Sequence, residues 1–403
     1  MTSPRSIVVV GESIAGITAA RELRTLGHTG RLTIIGADEL GGYSRPPLSK
    51  AVLHDPAAEG SLSYRLDDLE IDLLREAAVS TDFDARTVTT ATGRTLAYDA
   101  LIAATGADAR RLAARGQTGE LVLRTLEDAR TLRARLSTAT SAIVVGAGFL
   151  GMEVASACVA RGVAVTVIDV DPPLRRILGP FLSDAVRARA EEHGVRIVHT
   201  PRLVTLADDP VCGVILGDGS VSTADLVVTC AGEVPNTSWL DGSGPADERG
   251  IGIDHLCATT TAGVYAAGDV AYSIHDGRRA PFWSNAVAQG KVAAASALGL
   301  ASSTSATDDY FWTEILGVSI KIVGPLPLVG EPTNVEGSIA DGAALLTWKR
   351  ADMRPTVVAY GIRKSVAALR KMAGSAHRGR ADELADSTGL VDVPNSRSRS
   401  VAT

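Results

Sequence analysis

The hydrophobic and polar positions of this chain repeat one design twice. An apolar run, Ile7–Val10, leads into a turn bearing Gly11 and Gly16, then into a mixed stretch through Ala19, Ala20, Arg21, Glu22 and Leu23. Ala142–Val145 leads likewise into Gly146, Gly148 and Gly151, then through Glu153, Val154 and Ala155. A short apolar run closed by glycine reads as a buried strand, and the stretch after each turn as a helix. About 20 residues after each loop comes a second apolar run, Arg31–Ile35 and Ala164–Ile168. Each ends beside a carboxylate, Asp38 or Glu39 in the first and Asp169 in the second. The pattern predicts two βαβ mononucleotide units. Thr95–Gly106 and Asp225–Gly232 read as matching buried strands, and Val264–Val270 as a strand with a Gly-Asp turn. From about Tyr310 the pattern changes to short strands and a helix through Ser365–Met372. Residues 376–403 are small, polar and charged, and are expected to be a disordered tail.

Composition narrows the class. The 403 residues suffice for two or three domains, and 45% hydrophobic with 21% charged residues is ordinary for a globular enzyme. A net charge of -6 argues against a nucleic-acid partner. No apolar run approaches the roughly 20 residues of a membrane helix, and Ile7–Val10 is too short for a signal-peptide core. The expected location is the cytoplasm. Cys158, Cys212, Cys230 and Cys257 form no CxxC and no metal-ligand spacing, which argues against a cysteine-based disulfide reductase and against a metal site.

The two loops carry the first chemistry. A glycine-rich turn between strand and helix lets backbone approach a pyrophosphate, and the helix N-terminus supplies N–H donors and partial positive charge. Gly146, Gly148 and Gly151 complete GxGxxG, whereas in the first loop Ser13 stands between Gly11 and Gly16. Serine is small, and its hydroxyl can donate to phosphate. An acid ending the second strand binds ribose hydroxyls and repels a 2′-phosphate, so Asp169 points to NAD rather than NADP.

A family becomes visible at Tyr43-Ser-Arg-Pro-Pro-Leu-Ser-Lys50. This segment resembles the YxRPPLSK motif of the FAD-dependent, NADH-dependent ferredoxin reductases that serve bacterial oxygenases and cytochromes P450, two-dinucleotide flavoproteins of the glutathione-reductase-like superfamily. The resemblance continues through Leu123–Ala129 (LRTxxDA), Gly148–Glu153 (GxIGLE), Gly232–Asn236 (GxxPN), Ala267–Ala271 (AGDVA), Trp283–Ala286 (WxNA) and Phe311-Trp312. It covers about residues 6–372. It implies an α/β fold with two Rossmann-like dinucleotide-binding domains and a C-terminal α+β domain. The FAD domain would be split, 1–110 and 236–308, the NAD domain 111–235 inserted in it, and the last domain 309–375.

By the same resemblance, Gly11, Ser13, Ala15 and Gly16 would hold the FAD pyrophosphate and Asp38 the adenosine ribose. Arg45 and Lys50 would lie along the flavin side, with Thr105, Gly106 and Arg124 lining the FAD path. Asp269 would meet the ribityl-phosphate region, and Trp283 and Trp312 the isoalloxazine. Gly146, Gly148, Leu150, Gly151, Asp169 and Gly232 would hold NAD. Lys50 and Glu153 resemble the pair beside flavin N5, where a cation stabilises the reduced ring and a carboxylate orients the cation.

The resemblance implies hydride transfer from NADH to flavin N5, then single electrons to a [2Fe–2S] ferredoxin feeding a P450 or dioxygenase, in a monomer or homodimer. Three departures stand out: Ser13 in the FAD loop, Pro281-Phe282 where the family has Glu-His, and Thr313-Glu314-Ile315 where it has SDQ. The last two are expected where electrons leave the flavin. They keep open a stand-alone reductase of a quinone, oxygen or another small acceptor. A redox-sensing interaction flavoprotein of the apoptosis-inducing-factor type is a third reading, with contacts through Arg363, Lys364, Arg370 and Lys371. An acidic ferredoxin calls for a local basic face, for which Arg278, Arg279, Lys291, Lys321, Arg363 and Lys364 are the candidates.

Overall fold

The computed structural model describes residues 4–240, 244–351 and 353–374. The expected tail, 376–403, lies outside them. The first βαβ unit forms as the pattern predicts: strand Ser6–Val10, helix Ile14–Thr25 and strand Arg31–Ile35, with the strands parallel from Ser6 opposite Arg31 to Val10 opposite Ile35. They sit in a five-stranded parallel sheet in the order Val264–Ala266, Ala100–Ala103, Ser6–Val10, Arg31–Ile35, Asp72–Leu74. Central parallel strands are covered on both faces, which is why Ile7, Val8, Val9 and Ile34 are all buried. Helix Ile14–Thr25 packs on helix Trp283–Ala297. Gly290 permits this approach, because a Cβ there would meet the Ala15 carbonyl oxygen at 2.5 Å.

The segment Thr95–Gly106 is not one strand. Thr95–Ala97 pairs in a small antiparallel sheet, and the parallel strand starts at Ala100. Asp99 makes the break: its carboxylate accepts from the Ser6 and Arg5 N–H groups at 2.8 and 2.7 Å, and these bonds hold its pKa below the usual range.

The second unit repeats the design with strand Ser141–Val145, helix Phe149–Val159 and strand Ala164–Asp169. Its four-stranded parallel sheet runs Arg196–His199, Ala164–Asp169, Ser141–Val145, Leu226–Thr229. The chain crosses between the two halves at Ala107–Ala109 and Glu233–Pro235, which pair antiparallel. From Tyr310 an antiparallel sheet of five strands follows, with Tyr310–Ile315 on one edge and helix Val366–Met372 against it. Strand Tyr310–Ile315 separates two cores. Phe311 and Ile315 face the core shared with Met152, Val154 and Leu48, while Tyr310 and Trp312 face Val366 and Leu369. The C-terminal sheet thus lies directly against the second βαβ unit.

Candidate functional site

Both glycine loops are shaped first by the protein itself. A Cβ on Gly11 would meet the Ala104 carbonyl oxygen at 2.1 Å, and one on Gly16 the Gly11 oxygen at 2.0 Å. In the second loop the corresponding distances are 2.3 Å from Gly146 to the Cys230 oxygen and 1.9 Å from Gly151 to the Gly146 oxygen. Gly11 and Gly146 also take φ of +120° and +114°, conformations that favour glycine. The middle position differs. A Cβ on Gly148 would touch no protein atom. The fold therefore has no need of glycine there, but a dinucleotide seated on the backbone does. Ser13 occupies the equivalent place as the extended N-cap of its helix, and its hydroxyl makes no capping bond. It faces open space and can meet a phosphate. Both loops fit a bound dinucleotide.

One cleft of about 1120 Å³ joins the loops. Its walls carry Ser13, Arg45 and Lys50 from the first half, and Gly146, Gly148, Leu150, Glu153, Asp169 and Gly232 from the second. Trp283 and Trp312 also line it. A smaller cavity of about 80 Å³ continues past Ser13, Arg45 and Arg124 to Ala15, Thr105, Gly106 and Asp269. Asp38 lines neither cavity. It stands behind Arg45, whose guanidinium is 3.9 Å from its carboxylate and donates to the Arg124 carbonyl at 2.9 Å.

The pair Lys50–Glu153 is formed, with Nζ 2.9 Å from Oε1 and the side chains only 15% and 6% exposed. Glu153 has two further partners that the sequence reading missed. Thr313 Oγ1 donates to Oε1 at 2.6 Å, and the Ser49 hydroxyl donates to Oε2. A buried carboxylate is tolerable when paired and hydrogen-bonded in this way. Thr313, expected at the electron exit, lies against this pair.

A second charged chain runs through the cleft. Arg124 is 2.8 Å from Asp269, Arg279 donates to the Asp269 carbonyl at 3.2 Å, and Arg279 is 2.8 Å from Glu233. Burial works against the Arg124 charge, but Asp269, with Glu233 and Asp108, holds its pKa above the ordinary value. Burial, reinforced by Asp269, raises Glu233 against the opposing pull of Arg124 and Arg279. Arg279 was expected to be a docking cation. It is instead half-buried and spent on this chain. Arg370 is likewise withdrawn from any contact surface, being buried beside Asp308 at 2.6 Å. Arg278, Arg363 and Lys364 are exposed, and Lys321 donates to the Lys364 carbonyl at 3.4 Å.

Asp169 closes the far end. Its Oδ2 accepts from Ala147 N at 2.5 Å and its Oδ1 from Asp171 N at 3.2 Å, fixing a negative charge beside the second loop. Aromatic rings complete the walls. Phe149, Phe311 and Phe282 follow one another at 4.2 and 4.8 Å, one ring from each part of the fold. Trp312 stacks on Tyr310 at 5.6 Å and meets Trp283 edge-on at 6.1 Å. The Phe149 and Phe282 contacts carried no local sequence signal.

Comparison with known proteins gives this arrangement its family. Residues 5–290 match the family model for pyridine nucleotide-disulphide oxidoreductases. The ferredoxin reductase component of chlorobenzene dioxygenase from Cupriavidus sp. (strain PS12) is 34% identical, over 97% of this chain and 96% of its own length. The rubredoxin-NAD(+) reductase of Ectopseudomonas oleovorans is 33% identical over 80% and 87%. Among solved structures, the ferredoxin reductase for the CYP199A2 system from Rhodopseudomonas palustris superposes with a TM-score of 0.80 at 29% identity, covering 89% of this chain and 91% of that one. The covalent putidaredoxin reductase–putidaredoxin complex gives a TM-score of 0.81 at 28% identity, with 93% of each chain covered. The chain belongs to the pyridine nucleotide-disulphide oxidoreductase family and is an NAD(H)-dependent flavoprotein reductase.

Proposed function

We propose that this protein is an FAD-dependent NADH:ferredoxin oxidoreductase that supplies electrons to a P450 or dioxygenase. The observation that carries the reading is the Lys50–Glu153 pair, which lies on the cleft joining the two dinucleotide loops. When bound, FAD supplies chemistry that side chains lack, accepting a hydride from NADH and releasing electrons singly to an iron–sulfur partner.

The chain's own residues bind and orient. Ser13 and Ala15 would present a hydroxyl and backbone to the FAD pyrophosphate, on the turn that Gly11 and Gly16 shape. Thr105, Gly106, Arg124 and Asp269, which line the smaller cavity, would line its path, Trp283 and Trp312 would flank the ring, and Arg45, paired with Asp38, would lie towards the adenosine end. Gly146, Gly148, Leu150, Gly151, Asp169 and Gly232 would hold NADH. Lys50 keeps a positive charge where the ring gains electrons, and Glu153 holds Lys50 in place. We take the FAD-binding unit as 1–110 and 236–308, the NAD-binding unit as 111–235 and the C-terminal domain as 309–375. The paired crossings at 107–109 and 233–235 support this division.

The partner is a [2Fe–2S] ferredoxin, met by a monomer or homodimer through the exposed Arg278, Arg363 and Lys364. We place the reaction in the cytoplasm, where the free, buried Cys158 and Cys257 stay reduced. A second reading, direct reduction of a small planar acceptor, rests on the Phe149–Phe311–Phe282 row along the cleft. Steady-state NADH oxidation with a purified [2Fe–2S] ferredoxin, against a quinone alone, separates the two. Turnover that requires the ferredoxin supports the first reading, and equal or faster turnover with the quinone supports the second.

A further inference from the structure

We infer that Thr313, on the C-terminal sheet, is a positioning residue for the Lys50–Glu153 pair, so that the third domain takes part in the chemistry of the cleft. This rests on the reading of that pair given above. Three segments meet at the Glu153 carboxylate: the turn through Ser49 and Lys50, helix Phe149–Val159 and strand Tyr310–Ile315. Thr313 and Lys50 share Oε1 at 2.6 and 2.9 Å, while Ser49 takes Oε2. Thr313 is fully buried. Its neighbours on the same face of the strand, Phe311 and Ile315, are apolar members of the adjoining core. A hydroxyl in that row is unexpected for packing alone, and it points at the carboxylate. The β-branched side chain is stiff about χ1, so the hydroxyl direction is held by the strand.

The physical consequence is a tuned charge. A hydrogen bond donated to an ionised carboxylate stabilises the charged form. Lys50 pairs with the carboxylate, and Cys230, from the loop after Leu226–Thr229, also lies within its field. Burial pushes the Cys230 thiol up to about 12, so it stays neutral and Lys50 is the compensating charge. Without the Thr313 donor, Oε1 is held by Lys50 alone, and both the carboxylate and Lys50 are less firmly oriented.

The test uses the FAD-loaded full chain with Thr313→Val, which keeps the shape, and Thr313→Ser, which keeps the hydroxyl. Two quantities are read: the anaerobic rate of flavin reduction by NADH and the flavin midpoint potential. For T313V we expect a rate lower by about tenfold, on the scale of one charged hydrogen bond. We also expect a midpoint potential shifted to more negative values, because a less firmly held Lys50 stabilises the reduced ring less. T313S should restore both. Should T313V fail to retain FAD, Thr313→Ala against T313S makes the same comparison. A wild-type rate and potential in the variant lacking the hydroxyl, with only its melting temperature lowered, would overturn the inference. Failure of the underlying reading is separate: it would appear in the wild-type chain as no flavin reduction by NADH.

Discussion

Lys50 Nζ lies 2.9 Å from Glu153 Oε1, joining the first dinucleotide-binding half to the second at a largely buried point of their shared cleft. Neither charge is comfortable alone there. Breaking a buried pair by removing one partner costs about 3–5 kcal/mol, because the other charge is left uncompensated. Lys50→Met should therefore lower the thermal midpoint more than the double variant Lys50→Met/Glu153→Gln, in which no charge is stranded. Both should retain FAD, and both should be reduced by NADH more slowly, by about one to two orders of magnitude on the scale of lost electrostatic stabilisation. A K50M variant as stable as the double variant would refute the coupling.

Asp169 should set cofactor preference. Its carboxylate is pinned by two backbone N–H groups beside the second loop, so a 2′-phosphate would meet a fixed negative charge. NADH should exceed NADPH in kcat/KM, and Asp169→Ala should narrow the ratio by about 1–3 kcal/mol in differential binding. Steady-state kinetics with both nucleotides decide it, and a wild-type preference for NADPH would reject the assignment.

The arginines at 278 and 279 should separate in their effects. Arg278 is exposed, whereas Arg279 pairs with Glu233 and donates to the Asp269 carbonyl. Arg278→Glu should slow ferredoxin reduction at low salt and leave reduction of a small neutral dye unchanged. The difference should fade as ionic strength rises, since screening sets in beyond about 10 Å at 0.1 M. Arg279→Glu should impair both acceptors alike, because it places a second carboxylate against Glu233 and Asp269. Equal behaviour of the two variants would contradict the structure's distinction.

Asp225 supplies a pH signature for the second half. Its carboxylate accepts from Thr140 N, Thr140 Oγ1 and Ser141 N at 2.8, 2.7 and 3.0 Å, and these bonds pull its pKa down to about 2. A depressed folded-state pKa contributes stability above the unfolded value, near 3.9, that is lost as pH falls through the folded value. Asp225→Asn should lower the thermal midpoint at neutral pH, and the gap to wild type should close between about pH 4 and pH 2. A gap independent of pH would show that ionisation of Asp225 is not its source.

Much of this was legible in the sequence because local geometry demands it. The first and third glycines of each loop avoid collisions with backbone a few residues or one strand away, so every such loop must show them. The motif at Tyr43–Lys50 and the acid Glu153 likewise announced a pair that the fold brings together. What stayed hidden depends on approach between distant segments. Nothing near Thr313 signals that its hydroxyl meets a helix of another domain, and nothing near Arg279 signals that Glu233 claims its charge. Thr95–Gly106 read as a single strand because its apolar run is continuous apart from Tyr98-Asp99. The break comes from Asp99 capping the N–H groups of Arg5 and Ser6 across the sheet.

We read the cleft as the route of reducing equivalents from NADH through FAD to a one-electron protein acceptor. The most direct measurement is an anaerobic titration of the purified yellow protein, first with NADH and then with oxidised [2Fe–2S] ferredoxin, followed by the visible flavin absorbance. Bleaching should be complete at one NADH per FAD, and the absorbance should return in full as two ferredoxins per flavin become reduced. Bleaching by NADH that no ferredoxin reverses, while a quinone reverses it at once, would contradict it.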